Sequence, residues 1–283
     1  MAYLTSSDDT SGDIFAVRRR RLLLATAGLT LTTALAPRLL DRSGGHVLAH
    51  HHGAAPRDAS AARDASAARD ASAARGVSVS AHRAPAYPMD KPLYYIHDAS
   101  RAIALTIDDG PDPVYTPQVL QLLHQYQVTA TFSMIGIHVT AYPYLVRMVA
   151  EAGHQIANHT WTHPDLARSP AHFVHSELAR ASAAIHAVTG VQPALFRAPY
   201  GAWSAAVIRQ CEHMKMVPLA WSVDPRDWAR PGTRSIVRNI MGNTRPGSII
   251  LEHDGGGNRA QTVAALRIVL PRLLHEGYHF RTP

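Results

Sequence analysis

Two adjacent carboxylates and a pair of histidines are the residues of this sequence best suited to chemistry. Asp108 and Asp109 end an apolar stretch and precede Gly-Pro, and His159 and His163 follow further along the chain. Two neighbouring acids repel each other and lose solvation unless a cation or an arginine neutralises them. A metal ion together with a basic partner would remove this repulsion, so the pair predicts a metal site.

The spacing of His159 and His163 suits a shared metal ion. Histidines four residues apart fall on one face of a helical turn, where both rings reach a single ion. With Asp109 they offer two nitrogens and one oxygen, a set that favours zinc or a similar divalent metal such as cobalt. Three protein ligands leave room for water, which is typical of catalytic rather than structural metal sites.

Alternating strands and helices must position these residues. From about residue 102 onward, short buried segments alternate with amphipathic stretches, a pattern that predicts parallel strands with right-handed crossovers. An open doubly wound sheet and a barrel both fit, and seven strands suit a barrel slightly smaller than the usual eight. The predicted strands are 102–107, 129–135, 154–157, 194–196, 216–223, 248–252 and 278–280, and the predicted helices are 116–127, 143–151, 170–188, 202–213 and 261–275.

Polar residues follow most of the predicted strands. In α/β folds the active site collects at the carboxyl ends of the strands, so groups distant in sequence would meet at one rim. The residues in question are Asp108 and Asp109 after the first strand, His159 after the third, Arg197 after the fourth, Asp224 and Asp227 after the fifth, and His253 after the sixth.

Five ordered motifs carry a resemblance to a known family. They are Thr106-Ile107-Asp108-Asp109-Gly110-Pro111, His159-Thr160-x-x-His163, Arg197-Ala198-Pro199-Tyr200, Asp224-x-x-Asp227-Trp228 and Leu251-x-His253. From about residue 102 to its end, the chain resembles the polysaccharide deacetylases, also called NodB-homology domains or family-four carbohydrate esterases. Two departures are Ile107, where Phe is frequent, and Glu252 beside the histidine of the fifth motif.

The resemblance implies a distorted (β/α)7 barrel that hydrolyses the N-acetyl group of an amino sugar, or sometimes an O-acetyl ester. Carried over residue by residue, it makes Asp109, His159 and His163 the metal ligands and Asp108 the general base. Arg197 would pair with Asp108 and keep it ionised. This assignment agrees with the metal site expected from the residue types alone.

The remaining motif residues imply the rest of the mechanism. The resemblance makes His253 the acid that protonates the departing amine, with Asp227 favouring the charged imidazolium. The backbone N–H of Tyr200 would stabilise the oxyanion. Trp228 and Leu251 would form the apolar wall around the acetyl methyl group.

Three kinds of function remain open at this stage. The first is a metal-dependent deacetylase of N-acetylglucosamine polymers such as peptidoglycan or chitin-like glycans, acting as a monomer. The second is an O-acetyl esterase, for example on xylan, or a related amidase. The third is a carbohydrate-binding surface module without turnover, against which Asp108 and His253 argue.

The N-terminal region predicts export. Four arginines at 18–21 precede an apolar run at 22–36 that closes with Ala-Leu-Ala, which predicts a signal peptide over residues 1–36. Residues 19–23 also resemble a twin-arginine signal. An uncleaved anchor is the alternative, but the run is shorter than the roughly 20 residues that span a bilayer. We therefore expect a secreted or cell-surface protein whose contact with the membrane is limited to the export machinery, of the Sec or twin-arginine type.

A linker separates this leader from the catalytic domain. Residues 57–75 contain Arg-Asp-Ala-Ser-Ala-Ala three times, and such small and charged residues bury too little to offset the entropy of ordering. The prediction is a flexible linker over 37–97, in which an Ala-rich helix could form transiently, and a catalytic domain over 98–283. The domain is close to charge balance, with 16 Lys and Arg against 13 Asp and Glu, so nucleic-acid binding is excluded as its purpose.

Three further residues are predicted to be structural. Asp165 and Asp254 adjoin motifs but fit turn or cap positions, so neither is assigned to catalysis. The Gly-Gly-Gly run at 255–257 could let the backbone approach a sugar. Cys211, the only cysteine, is expected to be a buried thiol.

Overall fold

The computed structural model describes Tyr87, residues 89–97 and residues 100–283. The predicted signal peptide at 1–36 and most of the predicted linker lie outside the described residues. None of the helices in the described part of the chain is both long enough and apolar enough to cross a bilayer.

Strands and helices alternate through the described chain as the sequence predicts. The strands are β1 (Ala102–Asp108), β2 (Thr131–Met134), β3 (Gln155–Asn158), β4 (Leu195–Phe196), β5 (Val217–Pro218), β6 (Ile249–His253) and β7 (His279–Phe280). The helices are α1 (Thr116–Tyr126), α2 (Gly136–Ala141), α3 (Pro143–Glu151), α4 (Ala171–Thr189), α5 (Ala205–His213), α6 (Thr233–Asn243) and α7 (Ala260–His275). Two of these helices, α2 and α6, were not among the five predicted stretches.

The sheet is parallel throughout and confirms the predicted α/β barrel-type fold. Its strand order is β5-β4-β3-β2-β1-β6, with β7 paired to the first residues of β1. The central strand β1 is buried along its whole length, as expected for a parallel strand covered on both faces. Ile103, Leu105 and Ile107 join the larger core with the helices, whereas Ala102 and Ala104 belong to a second cluster.

The sheet has no strand ladder between β5 and β6 in the part that the structure describes. Val223, after β5, forms a single bridge to Ile250 of β6. A segment preceding β1 also contacts both regions, since Leu93 forms a bridge to Leu219 and Tyr95 forms one to Ser248. Leu93 N–H donates to the carbonyl of Pro218 at 2.8 Å. We call residues 93–96 the strap. The strap falls within the range predicted as linker, yet it is part of the folded unit.

Two buried side chains fix the strap to the second core cluster. Leu93 and Ile96 are 8% and 3% exposed and pack in the cluster that contains Ala102 and Ala104. Replacing either buried residue with Ala should lower the free energy of unfolding by about 2–5 kcal/mol, because it removes buried apolar surface and leaves a cavity. Urea unfolding measures this loss. Tyr94→Ala, which changes an exposed residue of the same segment, is the control and should change stability little.

Candidate active site

The carboxylate of Asp108 is held by a fully buried arginine. Arg197 follows β4, and its Nη1 donates to Asp108 Oδ1 at 2.8 Å and to Thr106 Oγ1 at 2.7 Å. The same guanidinium also donates to the carbonyls of Leu219 and Ala220. These bonds satisfy a charge that could not otherwise be buried. They leave Asp108 as a paired, anionic group at the end of β1.

A second set of groups converges beside Asp108. Nε2 of His159 and Nε2 of His163 lie 3.5 and 3.2 Å from Asp109 Oδ1. The three ligand atoms lie within 4.8 Å of one another, which is close enough for one ion. His159 Nε2 also lies 3.9 Å from Asp108 Oδ2, so the free carboxylate borders the cluster.

The histidine pair is positioned by a loop, and the predicted helical turn is wrong. Residues after β3 carry no helix, and Thr160 and His163 have left-handed φ angles of 69° and 62°. The His163 N–H donates to Thr160 Oγ1, and the Thr160 N–H donates to Asn158 Oδ1. These side-chain bonds replace the backbone ladder of a helix, so the two rings meet through a tight loop.

Glu177 of α4 anchors this loop and was missed by the sequence analysis. Its Oε2 accepts the N–H groups of Trp161 and Thr162 at 2.9 and 2.8 Å, and its Oε1 accepts the Thr162 hydroxyl. Glu177 is 3% exposed, and it lies one turn from the buried Val174 and Ala181 on the same helix face. An acid on the buried face of an amphipathic helix was the signal that could have found it.

Each histidine has its second ring nitrogen bound. His159 Nδ1 lies 2.8 Å from the carbonyl of Arg197, which can only accept, so this nitrogen carries the hydrogen. Nε2 of His159 then presents a lone pair to the cluster. His163 Nδ1 lies 3.2 Å from the hydroxyl of Tyr200, which holds the ring by its outer nitrogen. Such outer contacts are characteristic of histidines that bind metals.

Asp109 fits a metal ligand by its own environment. Its Oδ1 is buried and has no hydrogen-bond partner among the described residues, although two imidazoles face it. Burial alone would raise the pKa of Asp109, but the neighbouring His159 and His163 lower that pKa well below its ordinary value. A carboxylate that stays ionised while its oxygen lacks a hydrogen bond is suited to a cation.

A histidine–aspartate pair lies on the adjacent strand. His253 ends β6 in register with Asp108 on β1. Its Nδ1 lies 2.7 Å from Asp227 Oδ1, and its backbone N–H donates to Asp227 Oδ2. The same Oδ2 also accepts a hydrogen bond from the hydroxyl of Thr262. Burial lowers the pKa of His253, but Asp227, with Asp109 and Asp108 further away, raises it above the ordinary value.

Glu252 is buried next to this pair. It is 0% exposed, and neither of its carboxyl oxygens has a hydrogen-bond partner among the described residues. Burial, and then the negative charge of Asp227, raises the pKa of Glu252 well above its ordinary value. The residue therefore stays neutral and adds no second negative charge beside Asp227.

The other motif residues surround these groups. Tyr200 lies in a tight turn with a φ of 60° and its side chain is 71% exposed. Trp228 is 46% exposed, one residue after Asp227. Leu251 is buried two residues before His253 on β6, on the same face of the strand. The structure thus gathers Asp108, the cluster of Asp109, His159 and His163, and the His253–Asp227 pair at the carboxyl ends of neighbouring strands.

Three residues that were predicted to be structural have different outcomes. Cys211 is buried and burial raises the pKa of its thiol to about 12, so it is no nucleophile, as predicted. Asp165 Oδ1 caps a turn at the Ala167 N–H, as predicted. Asp254 is not an ordinary loop acid: it is 0% exposed, accepts the Thr116 hydroxyl at 2.6 Å, and burial raises its pKa to about 7.

Comparison with known proteins decides the family. Residues 96–219 match the family described as polysaccharide deacetylase. A chitooligosaccharide deacetylase from Bradyrhizobium sp. (strain ANU 289) is 44% identical over 191 residues, which cover 63% of this chain and 87% of that protein. This chain belongs to the polysaccharide deacetylase family.

Solved structures of other polysaccharide deacetylases have the same fold. A peptidoglycan N-acetylglucosamine deacetylase bound to an N-hydroxybenzamide is 33% identical, with a TM-score of 0.65, and the match covers 67% of this chain and 89% of that one. A pseudoenzyme of family-four carbohydrate esterases from Bacillus anthracis is 27% identical, with a TM-score of 0.64, covering 68% and 66% of the two chains. Membership of the polysaccharide deacetylases is thus compatible with both active and inactive proteins, and the site must decide between them.

Proposed function

We propose that this protein is a metal-dependent hydrolase that removes N-acetyl groups from N-acetylglucosamine-containing glycans, either peptidoglycan or chitin-like polymers. The observation that carries the proposal is the free carboxylate of Asp108, which is held by Arg197 and borders the cluster of Asp109, His159 and His163. An inactive binding module would have no use for a base held beside a ligand cluster. The names of the related proteins support the same chemistry.

Asp109, His159 and His163 would hold a divalent ion, and zinc suits this set of one oxygen and two nitrogens. When bound, such an ion polarises the acetyl carbonyl and makes a coordinated water more acidic. The binding set itself is preformed, because Arg197 O and Tyr200 Oη already hold the second nitrogen of each ring.

Asp108 acts as the general base. It takes a proton from the water as that water attacks the acetyl carbon, a role that requires the anion. The buried guanidinium of Arg197 stabilises that anion by direct contact at 2.8 Å. Because Arg197 also donates to three further acceptors, Thr106 Oγ1 and the carbonyls of Leu219 and Ala220, it fixes where the carboxylate lies.

His253 acts as the general acid. The carbon–nitrogen bond breaks as acetate forms, and the departing amine receives a proton from the imidazolium of His253. Asp227, which itself accepts the hydroxyl of Thr262, holds the imidazole at Nδ1 and leaves Nε2 for the substrate. The in-register pairing of Asp108 with His253 places base and acid on neighbouring strands.

Three residues complete the environment of the acetyl group. The N–H of Tyr200 stabilises the developing oxyanion, and the exposed ring of Tyr200 forms part of the rim. Trp228 and Leu251 supply the apolar surface for the methyl group. The proposed substrate is an acetyl amide on a sugar. An amine needs a proton in order to leave, which accounts for a protonated His253, whereas the leaving group of an ester depends less on that proton.

Acetate release tests the proposed function. The purified protein should release acetate from N-acetylglucosamine oligomers and from cell-wall peptidoglycan, should lose that activity after chelation, and should regain it when zinc is added. Absence of acetate from every acetylated glycan would favour a binding module. Acetate from O-acetylated xylan alone would contradict the N-acetyl preference, and chelator-resistant release would contradict the metal role.

Asp227 should set the alkaline limit of activity. Since Asp227 raises the pKa of His253, the imidazolium persists to higher pH than an ordinary histidine would allow, and turnover falls as pH rises through that pKa. Asp227→Asn removes the strongest of the negative charges that oppose the effect of burial on the pKa of His253, so the alkaline limb of kcat against pH should move to lower pH. Asp165→Asn, at an exposed turn, is the matched control. An unchanged alkaline limb in Asp227→Asn would remove Asp227 from this role.

We further propose that the enzyme acts outside the cytoplasm. The support is the arginine-rich, apolar and Ala-Leu-Ala pattern of residues 18–36. Cell fractionation and N-terminal sequencing of the mature protein test this point. Full-length protein that remains in the cytoplasm would contradict it.

A further inference from the structure

The glycine run after β6 lies directly against Asp109. A Cβ atom at Gly255 would lie 2.1 Å from the carbonyl oxygen of Asp109, and one at Gly256 would lie 2.6 Å from Asp109 Oδ2. Gly256 also has a left-handed φ of 71°. Any side chain at these positions would displace Asp109, so the glycines allow the backbone to pack directly against this carboxylate.

Arg259 holds this glycine run in place. Its Nε donates to the carbonyl of Gly255 at 2.6 Å, and its Nη2 donates to the carbonyl of Gly256 at 3.1 Å. Arg259 directly precedes α7 and is 4% exposed. A planar guanidinium presents donors in a fixed geometry, so two bonds to successive carbonyls fix the shape of the loop.

Asp109 needs such support because its backbone adopts an unfavourable conformation. Its φ of 73° is in the left-handed region, which costs a non-glycine residue free energy unless the surroundings hold it. On its other side, the carbonyl of Asp109 lies 2.9 Å from His138 Nδ1 of α2. The Asp254 N–H donates to the carbonyl of Asp108 at 3.1 Å. The glycine run closes the remaining side.

We propose that Arg259 is a positioning residue for the metal ligand Asp109 and acts through the backbone of Gly255 and Gly256. This inference rests on the proposed function, which makes Asp109 a ligand. The start of α7 then supports both the metal ligand and the general acid. The hydroxyl of Thr262, three residues after Arg259, donates to Asp227, which holds His253.

Direct metal binding tests the proposal without relying on turnover. Zinc affinity is measured by competition with a chromophoric chelator, and the visible spectrum of the cobalt-loaded protein reports the ligand geometry. In Arg259→Met the zinc affinity should fall about 10-fold to 100-fold, the range for residues that orient metal ligands. The cobalt spectrum should change as well, because Asp109 is no longer held in its position.

Two variants of the same helix are the controls. Arg267→Met changes an exposed arginine of α7 and should bind zinc as the wild type does. Thr262→Val should keep zinc affinity, because Thr262 bonds Asp227 and not the glycine run. Equal loss of zinc affinity in Arg259→Met and Thr262→Val would mean general damage to α7 and would overturn the proposal.

The remaining outcomes are also decisive. A folded Arg259→Met with wild-type zinc affinity and an unchanged cobalt spectrum overturns the positioning role. If Arg259→Met does not fold, Arg259→Lys decides, since it keeps the charge but loses the fixed fork: weakened binding supports the role and wild-type binding contradicts it. Failure of the wild type to bind zinc or cobalt would instead contradict the proposed function.

Discussion

Asp108→Asn should retain its metal and lose about 100-fold to 10,000-fold in kcat, the usual contribution of a general base. The amide keeps the shape of the carboxylate but cannot accept the proton of the attacking water. Asp109, His159 and His163 are unchanged, so zinc content should match the wild type. Acetate release from N-acetylglucosamine oligomers, together with elemental analysis of the same samples, measures both quantities.

The Asp108 experiment has a matched control and a clear contrary result. Asp90→Asn makes the same chemical change at an exposed position before the strap and should not alter kcat. Wild-type turnover by Asp108→Asn would exclude Asp108 as the base. Loss of zinc from Asp108→Asn would instead place Asp108 among the metal ligands, which its bond to Arg197 argues against.

His159→Ala should release the metal and reduce activity to that of chelator-treated wild type. His159 contributes the more buried of the two imidazoles, at 2% exposure, and its loss leaves only Asp109 and His163 to bind the ion. Two ligands rarely suffice to retain zinc against a chelator. Elemental analysis after dialysis measures the retained metal.

The control for this variant is His172→Ala, which removes an exposed histidine of α4. Added zinc should restore activity to chelated wild type but not to His159→Ala, which separates loss of binding from loss of folding. Undiminished metal content in His159→Ala would remove His159 from the ligand set. The cluster of Asp109, His159 and His163 would then not be the metal site.

The comparison of Asp108→Asn with His159→Ala also separates the two halves of the mechanism. One variant should be a metal-loaded protein without a base, and the other should keep its base without a metal. Their different zinc contents at similarly low activity would be hard to obtain from general damage to the fold.

The strand pattern was the part of the fold that the sequence predicted best. β1 is apolar from Ala102 to Leu105 and buried on both faces, so this part of the strand shows no polar alternation to confuse the assignment. Short α2 and polar α6 were not predicted. α2 has only six residues, too few for a periodic apolar face to be recognised.

The conformation of the histidine loop could not be predicted from spacing. Histidines four residues apart fit a helix, but Thr160 and His163 adopt left-handed φ angles, and the β-branched Thr160 is rarely found there. Glu177 stabilises this conformation by accepting three hydrogen bonds from the loop, although it lies on α4, which follows the loop in sequence. A contact between distant segments cannot be read from local composition.

The roles of Asp254 and the glycine run were hidden for a related reason. Asp-Gly-Gly-Gly is common turn chemistry, so composition alone favours a solvated loop. In the folded chain Asp254 is buried against Thr116 of α1, and Gly255 lies under the backbone of Asp109. The segment after β6 is close-packed only because β6 pairs with β1 in the folded protein, and this pairing cannot be recognised from the local sequence.

The strap has a consequence for how the protein is made. Leu93 pairs with Leu219 and Tyr95 with Ser248, so a segment that leaves the ribosome before β1 must wait for two much later regions of the chain. The barrel wall therefore cannot close until synthesis has passed residue 248. Such long-range pairing slows folding, and it keeps the nascent catalytic unit incomplete until nearly all of its residues have been translated.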